Sequence, residues 1–266
     1  MKILAITNLY PPQELGGYGR SISDFVWGFI RLGHDVEVLT SDAPYLNSQV
    51  EANQRVGPSG EVVHRFLSLK GSYENGLSLL TDPSACEEVD RQNQKVINHF
   101  LTGEWGGVLI GNIDLLGSEL LAMVSQFSCK ILHHIGFIDP PFPRETFPQL
   151  SNYTMVAASK AVRNNLQRCG FPISDSSVVY PGVRTDLFGD RNHLMSANLR
   201  LAHRLHNSGV KFCTPANPLK IGFAGLLMGT KGVHTLVEAL ILLRQQGFTK
   251  KIIITMRIVP TKAECI

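Results

Sequence analysis

The chain has 266 residues, with 25 Lys and Arg against 22 Asp and Glu, a formal net charge of +3, 44% hydrophobic residues and 18% charged ones. That composition belongs to an ordinary globular protein and excludes a disordered polyelectrolyte, a collagen-like repeat and a disulfide-stapled miniprotein. At roughly 100–200 residues per domain the length accommodates one large domain or two modest ones, and the small charge excess without a Lys/Arg run speaks against a nucleic-acid partner.

The opening residues Ile3 to Ile6 form a short apolar run that ends before Pro11-Pro12, too short for a signal-peptide core and suited to a buried strand. A loop from Asn8 to Gly19 follows, containing Gly16, Gly17 and Gly19. Ile22, Phe25, Val26, Phe29 and Ile30 then repeat at helical spacing and predict one apolar helix face. Gly33 suits the position just past that helix, and Val36 to Leu39 is the next strand. Strand, glycine loop, helix and strand in that order make a βαβ unit with a right-handed crossover.

The alternation continues with a strand at 62–69, a helix marked by Val89, Val96, Ile97 and Phe100, and a strand at 108–110. Leu116, Leu120, Leu121 and Val124 predict a helix, and Ile131-Leu132 starts a strand that runs into His133-His134. Met155 to Ala157 is a strand, Val162 and Leu166 lie on a helix, and Val178 to Tyr180 reads as a last strand before Pro181-Gly182. Such a series predicts a doubly wound α/β domain over residues 1–183. Residues 184–217 break the rhythm and read as a linker with a helix around Leu194 to Leu205. A new βαβ begins at 218: a strand from Leu219 to Ala224, a helix face of Val233, Leu236, Val237, Leu240 and Leu243, and a strand from Lys251 to Thr255. After about Met256 no pattern is legible. Residues 218–266 therefore read as a partial second Rossmann-like domain, since two strands and one helix cannot cover both faces of a parallel sheet.

Cys86, Cys129, Cys169, Cys213 and Cys265 are scattered and form no C-x-x-C pair, so reduced thiols in a cytoplasmic setting are the simplest expectation. No stretch approaches the ~18 apolar residues of a membrane-spanning helix. Two loops carry the chemistry. The glycines at 16–19 precede a helix N-terminus, where backbone can approach a ligand and anions are favoured; a flexible loop without a ligand is the plain alternative. The dinucleotide fingerprint G-x-G-x-x-G fails because Ile22 stands where its last glycine belongs, which disfavours an NAD-dependent oxidoreductase. In the second loop Thr230 and Gly232 flank Lys231, so a Walker A loop is excluded too, although a lysine at the mouth of a helix could meet a diphosphate.

These two loops and their spacing resemble the retaining glycosyltransferases of the GT-B fold, specifically the family 4 group that includes sucrose synthase-like and mannosyltransferase-like enzymes. The segment Met1 to Gly17, with Tyr10-Pro11-Pro12, is similar to that family's opening strand and glycine loop. Leu32-Gly33-His34-Asp35-Val36-Glu37-Val38-Leu39-Thr40 resembles its G-H-[DE]-V-x-V element, and Ala158 to Val162 its S-x-x-[VL] element. Val178 to Val183 with Phe188, and Leu219 to Gly232 with Ala239-Leu240, resemble two later ones, so that the matches cover most of residues 1–250.

The resemblance implies two facing Rossmann-like domains, an N-terminal one for the acceptor and a C-terminal one for a nucleotide-sugar donor. Gly16 and Gly17 match the glycines that approach the donor, and Lys231 the lysine that neutralises the departing diphosphate. The family's arginine five positions before that lysine is Leu226 here, which removes half of the cationic clamp. His134 is the expected donor-sugar contact and His133 the alternative; a core histidine bonded to backbone is an equal reading of either. The resemblance further implies transfer with retention, to a glycan or lipid-linked saccharide, without a metal or other cofactor. It leaves peripheral contact with the inner membrane face open. The family's E-x7-E element has no counterpart before residue 266, so the sequence predicts a truncated chain with little transferase activity of its own. The reading from a different class is a non-catalytic module that binds a glycan or a partner.

Overall fold

A computed structural model of the chain describes residues 1–13, 18–43, 55–72, 78–137, 142–174, 177–184, 186, 219–225, 231–249 and 251–258. The chain divides into two compact units, Met1–Arg184 and Thr185–Ile266.

The first unit is built on six parallel strands: β1 (Lys2–Ile6), β2 (Asp35–Ser41), β3 (Val62–Leu67), β6 (Gly107–Ile110), β7 (Lys130–Ile135) and β8 (Tyr153–Ala157). A two-residue antiparallel pair, β4 (Gly71–Ser72) with β5 (Ser78–Leu79), lies apart from them. The main sheet runs β3-β2-β1-β6-β7-β8. Strand order thus reverses between β1 and β6, as in a doubly wound Rossmann-like sheet. The α/β class expected from the sequence is the observed one.

Alternation along β1 shows how the sheet is buried on both sides. Ile3 and Ala5 join Val36, Val38, Val63 and Leu109 beneath helix α1 (Tyr18–Arg31), which contributes Ile22 and Val26. Leu4 and Ile6 face the opposite layer with Leu39, Val108, Ile110 and Ile131. That layer is covered by α2 (Pro83–Leu101), α3 (Glu119–Val124) and α4 (Lys160–Arg168). Helix α1 ends at Gly33, whose φ of +83° is left-handed backbone that glycine adopts without strain. The N-termini of α2 and α4 are capped by Asp82 and Ser159, whose side chains accept from the backbone N–H groups of Ala85 and Val162.

Several boundaries differ from expectation. Val178 to Tyr180 makes one parallel bridge, Ala157 with Val178, in place of a strand. Pro181 lacks an N–H for a ladder, so pairing stops there. Leu116 is buried but sits in the turn before α3, and a 3-10 turn at Arg144–Thr146 had no periodic signal. In the second unit β9 (Leu219–Gly225) pairs in parallel with β10 (Ile252–Ile258), joined through α5 (Val233–Gln245). Strand β10 runs past Met256, where the sequence pattern faded. The linker helix expected around Leu194 to Leu205 lies outside the described residues.

Candidate functional site

In an open parallel sheet the crevice forms at the carboxyl ends of the strands where the order reverses, here beyond Ile6 and Ile110. The two strand ends are tied together. The Gly111 N–H donates to the Ile6 carbonyl at 2.8 Å, the Asn8 N–H to the Asn112 carbonyl at 2.7 Å, and the Asn8 side-chain amide to the Asp114 carboxylate. Ser41, at the end of β2, donates to the Asn8 carbonyl at 2.6 Å. Helix α1 presses onto this junction. A Cβ on Gly111 would lie 2.6 Å from Cγ1 of Ile22, and one on Gly19 would lie 3.2 Å from the Leu9 carbonyl oxygen. Glycine at both places lets the helix start sit directly against the strand ends.

Beside the junction lies a buried polar cluster with no signature in the sequence: Tyr10, Gln13, Glu61 and Arg65 are all at least nine-tenths buried. The Tyr10 hydroxyl donates to the Glu61 carboxylate, which also accepts from the Ser59 N–H at 2.8 Å. Burial, then the neighbouring Glu61 charge, pushes the Tyr10 phenol far above its ordinary value, so it stays a donor. Arg65 donates from Nη1 to Gln13 Oε1 at 2.9 Å and to the Tyr10 carbonyl at 3.3 Å, and from Nη2 to the Pro11 carbonyl at 2.6 Å. Gln13 in turn donates to the carbonyls of Ser41 and Ala43, at 3.0 and 2.7 Å. Spacing could not reveal this cluster, because Tyr10 and Glu61 are separated by 51 positions and meet only through the sheet.

The adjacent histidines of β7 point to opposite faces, as strand alternation requires. His134 turns toward α1, edge-on to Phe25 at 5.0 Å between ring centroids, and its Nε2 donates to the Val179 carbonyl at 2.9 Å. It is 1% exposed, and burial holds its pKa below the ordinary value against the opposing effect of the Val179 bond. His133 faces the other layer, stacked on Phe147 at 5.7 Å, with its Nδ1 2.6 Å from the Tyr153 hydroxyl. Burial, reinforced by the neighbouring His134 and partly countered by a bond to the Gly111 backbone, lowers the His133 pKa from 6.5 to about 3. Burial likewise keeps the Tyr153 phenol protonated, so its hydroxyl donates to a neutral imidazole.

Of the residues singled out in the sequence, His134 therefore stands at the carboxyl end of β7 in the first unit. Lys231 stands in the second unit, exposed, two residues before α5; Gly232, with a φ of +75°, caps that helix. Gly16 and Gly17 lie outside the described residues. No group of three or more His, Cys, Asp or Glu side chains among the described residues is arranged to hold a metal. No helix among them is long and apolar enough to cross a membrane.

No family model matches the chain, and no curated protein matches it by sequence. Solved structures do. HepE from Anabaena, in complex with UDP-glucose, matches at a TM-score of 0.54 and 13% identity, over 96% of this chain and 69% of that one. An α-glucosyltransferase in complex with UDP and a 13-mer DNA matches at 0.46 and 10%, over 97% of this chain and 56% of that one. UDP-GlcNAc 2-epimerase from Neisseria meningitidis, bound to UDP-GlcNAc, matches at 0.42 and 10%, over 97% and 66%. Of these three, HepE exceeds 0.5, and at 13% identity that likeness establishes the fold.

Proposed function

We propose that the chain is a GT-B-type glycosyltransferase that uses a nucleotide-sugar donor. One observation carries the reading: a doubly wound unit and a further parallel βαβ occur in one chain, and the likeness to the UDP-glucose-bound HepE structure covers 96% of it. The sequence elements similar to family 4 add the finer proposal of transfer with retention to a glycan or lipid-linked saccharide. In such a reaction positive charge builds on the sugar ring and negative charge on the departing diphosphate. Lys231 is assigned to that diphosphate, Gly16 and Gly17 to close backbone approach to the donor, and His134 to the sugar. The cation and the helix N-termini supply the electrostatic stabilisation, so the proposal requires no metal or other cofactor.

The test is calorimetric titration of the 266-residue chain with UDP-glucose, GDP-mannose and NAD+, followed by transfer from radiolabelled donors and NMR of the product anomer. Binding of a nucleotide sugar but not NAD+ is the expected result, and whatever product forms is expected to keep the donor's anomeric configuration. Failure to bind any nucleotide sugar would sink the reading. One observation favours a second reading, a module that binds glycans or a partner without catalysis: the His134 ring is buried and bonded to the Val179 backbone. Glycan affinity without nucleotide affinity would select it.

A further inference from the structure

The sequence elements and the proposed activity leave the most buried cation of the first unit without a task. Arg65 sits on β3 in register with Thr40 of β2, just before a bulge at which Ser41 pairs with Leu67. Alternation from Val63 places Arg65 on the α1 side of the sheet, and the bulge turns Leu67 to the opposite layer. Arg65 is 6% exposed, and among the described residues no carboxylate lies within ion-pair distance of it. Burial lowers its pKa, with Tyr10 and Asp42 acting in the opposite sense. A guanidinium is a cation at neutral pH even so.

A lone buried cation costs desolvation that an apolar side chain of the same size avoids. What Arg65 contributes is therefore geometry. Its fork reaches three acceptors in one turn, the carbonyls of Tyr10 and Pro11 and the side chain of Gln13. A lysine, with one nitrogen, cannot satisfy all three in a fixed plane. That turn follows β1 at the strand-end junction, where Ser41 accepts from Gln13 through its carbonyl and donates to the Asn8 carbonyl through its hydroxyl. Tyr10 is pinned from its other end by Glu61.

We propose that Arg65 is a positioning residue for the nucleotide-sugar donor: it holds the Tyr10–Gln13 turn, beside the crevice at the carboxyl ends of β1 and β6, in the arrangement that receives the ligand. The proposal rests on the reading of the chain as a nucleotide-sugar enzyme. A turn that is arranged only part of the time weakens apparent affinity by the fraction arranged, whereas saturating ligand restores the competent state. The effect falls on KM and spares kcat.

The experiment compares the full chain with Arg65→Met, which keeps volume without the charge, and Arg65→Lys, which keeps the charge without the fork. Turnover of UDP-glucose and amide hydrogen exchange across residues 7–20 are measured for each. Arg65→Met is expected to raise KM about tenfold with kcat within about twofold, at an unfolding temperature close to that of the parent chain. Exchange should quicken in residues 7–20 and nowhere else, and Arg65→Lys should fall between the two. Unchanged KM with unchanged exchange in Arg65→Met overturns the proposal. A parent chain that neither binds nor turns over UDP-glucose removes the proposed function instead. The exchange measurement then still decides whether Arg65 holds the turn: faster exchange confined to residues 7–20 keeps that part of the proposal, and unchanged exchange ends it. If Arg65→Met does not fold, Gln13→Ala deletes one acceptor of the same fork and takes its place. A raised KM with faster exchange in residues 7–20 then supports the positioning role, and no change in either overturns it.

Discussion

The two units repeat one local plan, strand, helix and parallel strand, yet they bury their apolar residues to very different degrees. In the first unit Ile22 and Val26 of α1 are fully enclosed, because four further strands and the opposite helical layer extend the surface on which α1 rests. In the second, α5 has no buried residue, and Val237, Ile241 and Leu242 are each more than half exposed. Of the five-residue face read from the sequence, Val233, Leu236, Leu240 and Leu243 are partly covered and Val237 is exposed. Among the described residues of that unit two strands, about 4.8 Å apart, offer a strip narrower than a helix of about 10 Å diameter. Burial in a parallel sheet is thus a collective property: the same βαβ sequence pattern yields a core only when its neighbours widen the sheet.

The contrast can be broken most directly by truncating matched side chains. Ile110→Ala, in the centre of the first unit's core, should cost about 2–5 kcal/mol in urea unfolding, whereas Ile241→Ala on α5 should stay within about 0.5 kcal/mol. Equal losses at the two sites would show that α5 is as enclosed as the sheet of the first unit. Next in size is Gly111→Ala. Its methyl would meet Cγ1 and Cδ1 of Ile22 at 2.6 and 2.7 Å, an overpacking worth about 1–3 kcal/mol. Pairing it with Ile22→Val in a double-mutant cycle should recover part of the loss, and strict additivity would show that the clash lies elsewhere.

The buried His133 sharpens the comparison through pH. Its folded pKa, about 3, lies below its unfolded value of 6.5, so between those limits the unfolded chain binds the extra proton. Its contribution is intact above pH 6.5 and is lost as pH falls toward 3, with a slope approaching about 1.4 kcal/mol per pH unit. His133→Gln, which keeps a donor and an acceptor for Gly111 and Tyr153, should flatten the acid limb of the stability curve of the first unit. An unchanged limb would assign the acid sensitivity to other groups. The smallest effect expected is at the α4 cap, where Ser159→Ala removes the bond to the Val162 N–H and should lower stability by about 1 kcal/mol.

The periodic features were legible because they are local. Helix α1 shows its apolar stripe at 3.6-residue spacing, β1 its continuous burial, and Gly33 the stop between α1 and β2, each set by a few neighbouring residues. Lys231 could likewise be placed ahead of a helix from its own loop. Val178 to Tyr180 has the β propensity of a strand but makes a single bridge, since propensity says nothing about whether a partner is available beyond Ala157. The histidine pair shows the same limit within one strand. Alternation alone demanded that the two rings part. Which of them met Phe25 and which met Phe147 depended on where α1 and the 142–147 segment come to rest.

The amino-acid sequence alone therefore determined the order of the elements, the doubly wound class and the places where the chain turns, because hydrophobic period and glycine stereochemistry act over a few residues. Tertiary structure alone decided that Tyr10, Gln13, Glu61 and Arg65 form one cluster, and that α1 is buried while α5 is not. Contacts between residues tens of positions apart depend on how strands order themselves in the sheet, and no local pattern carries that information.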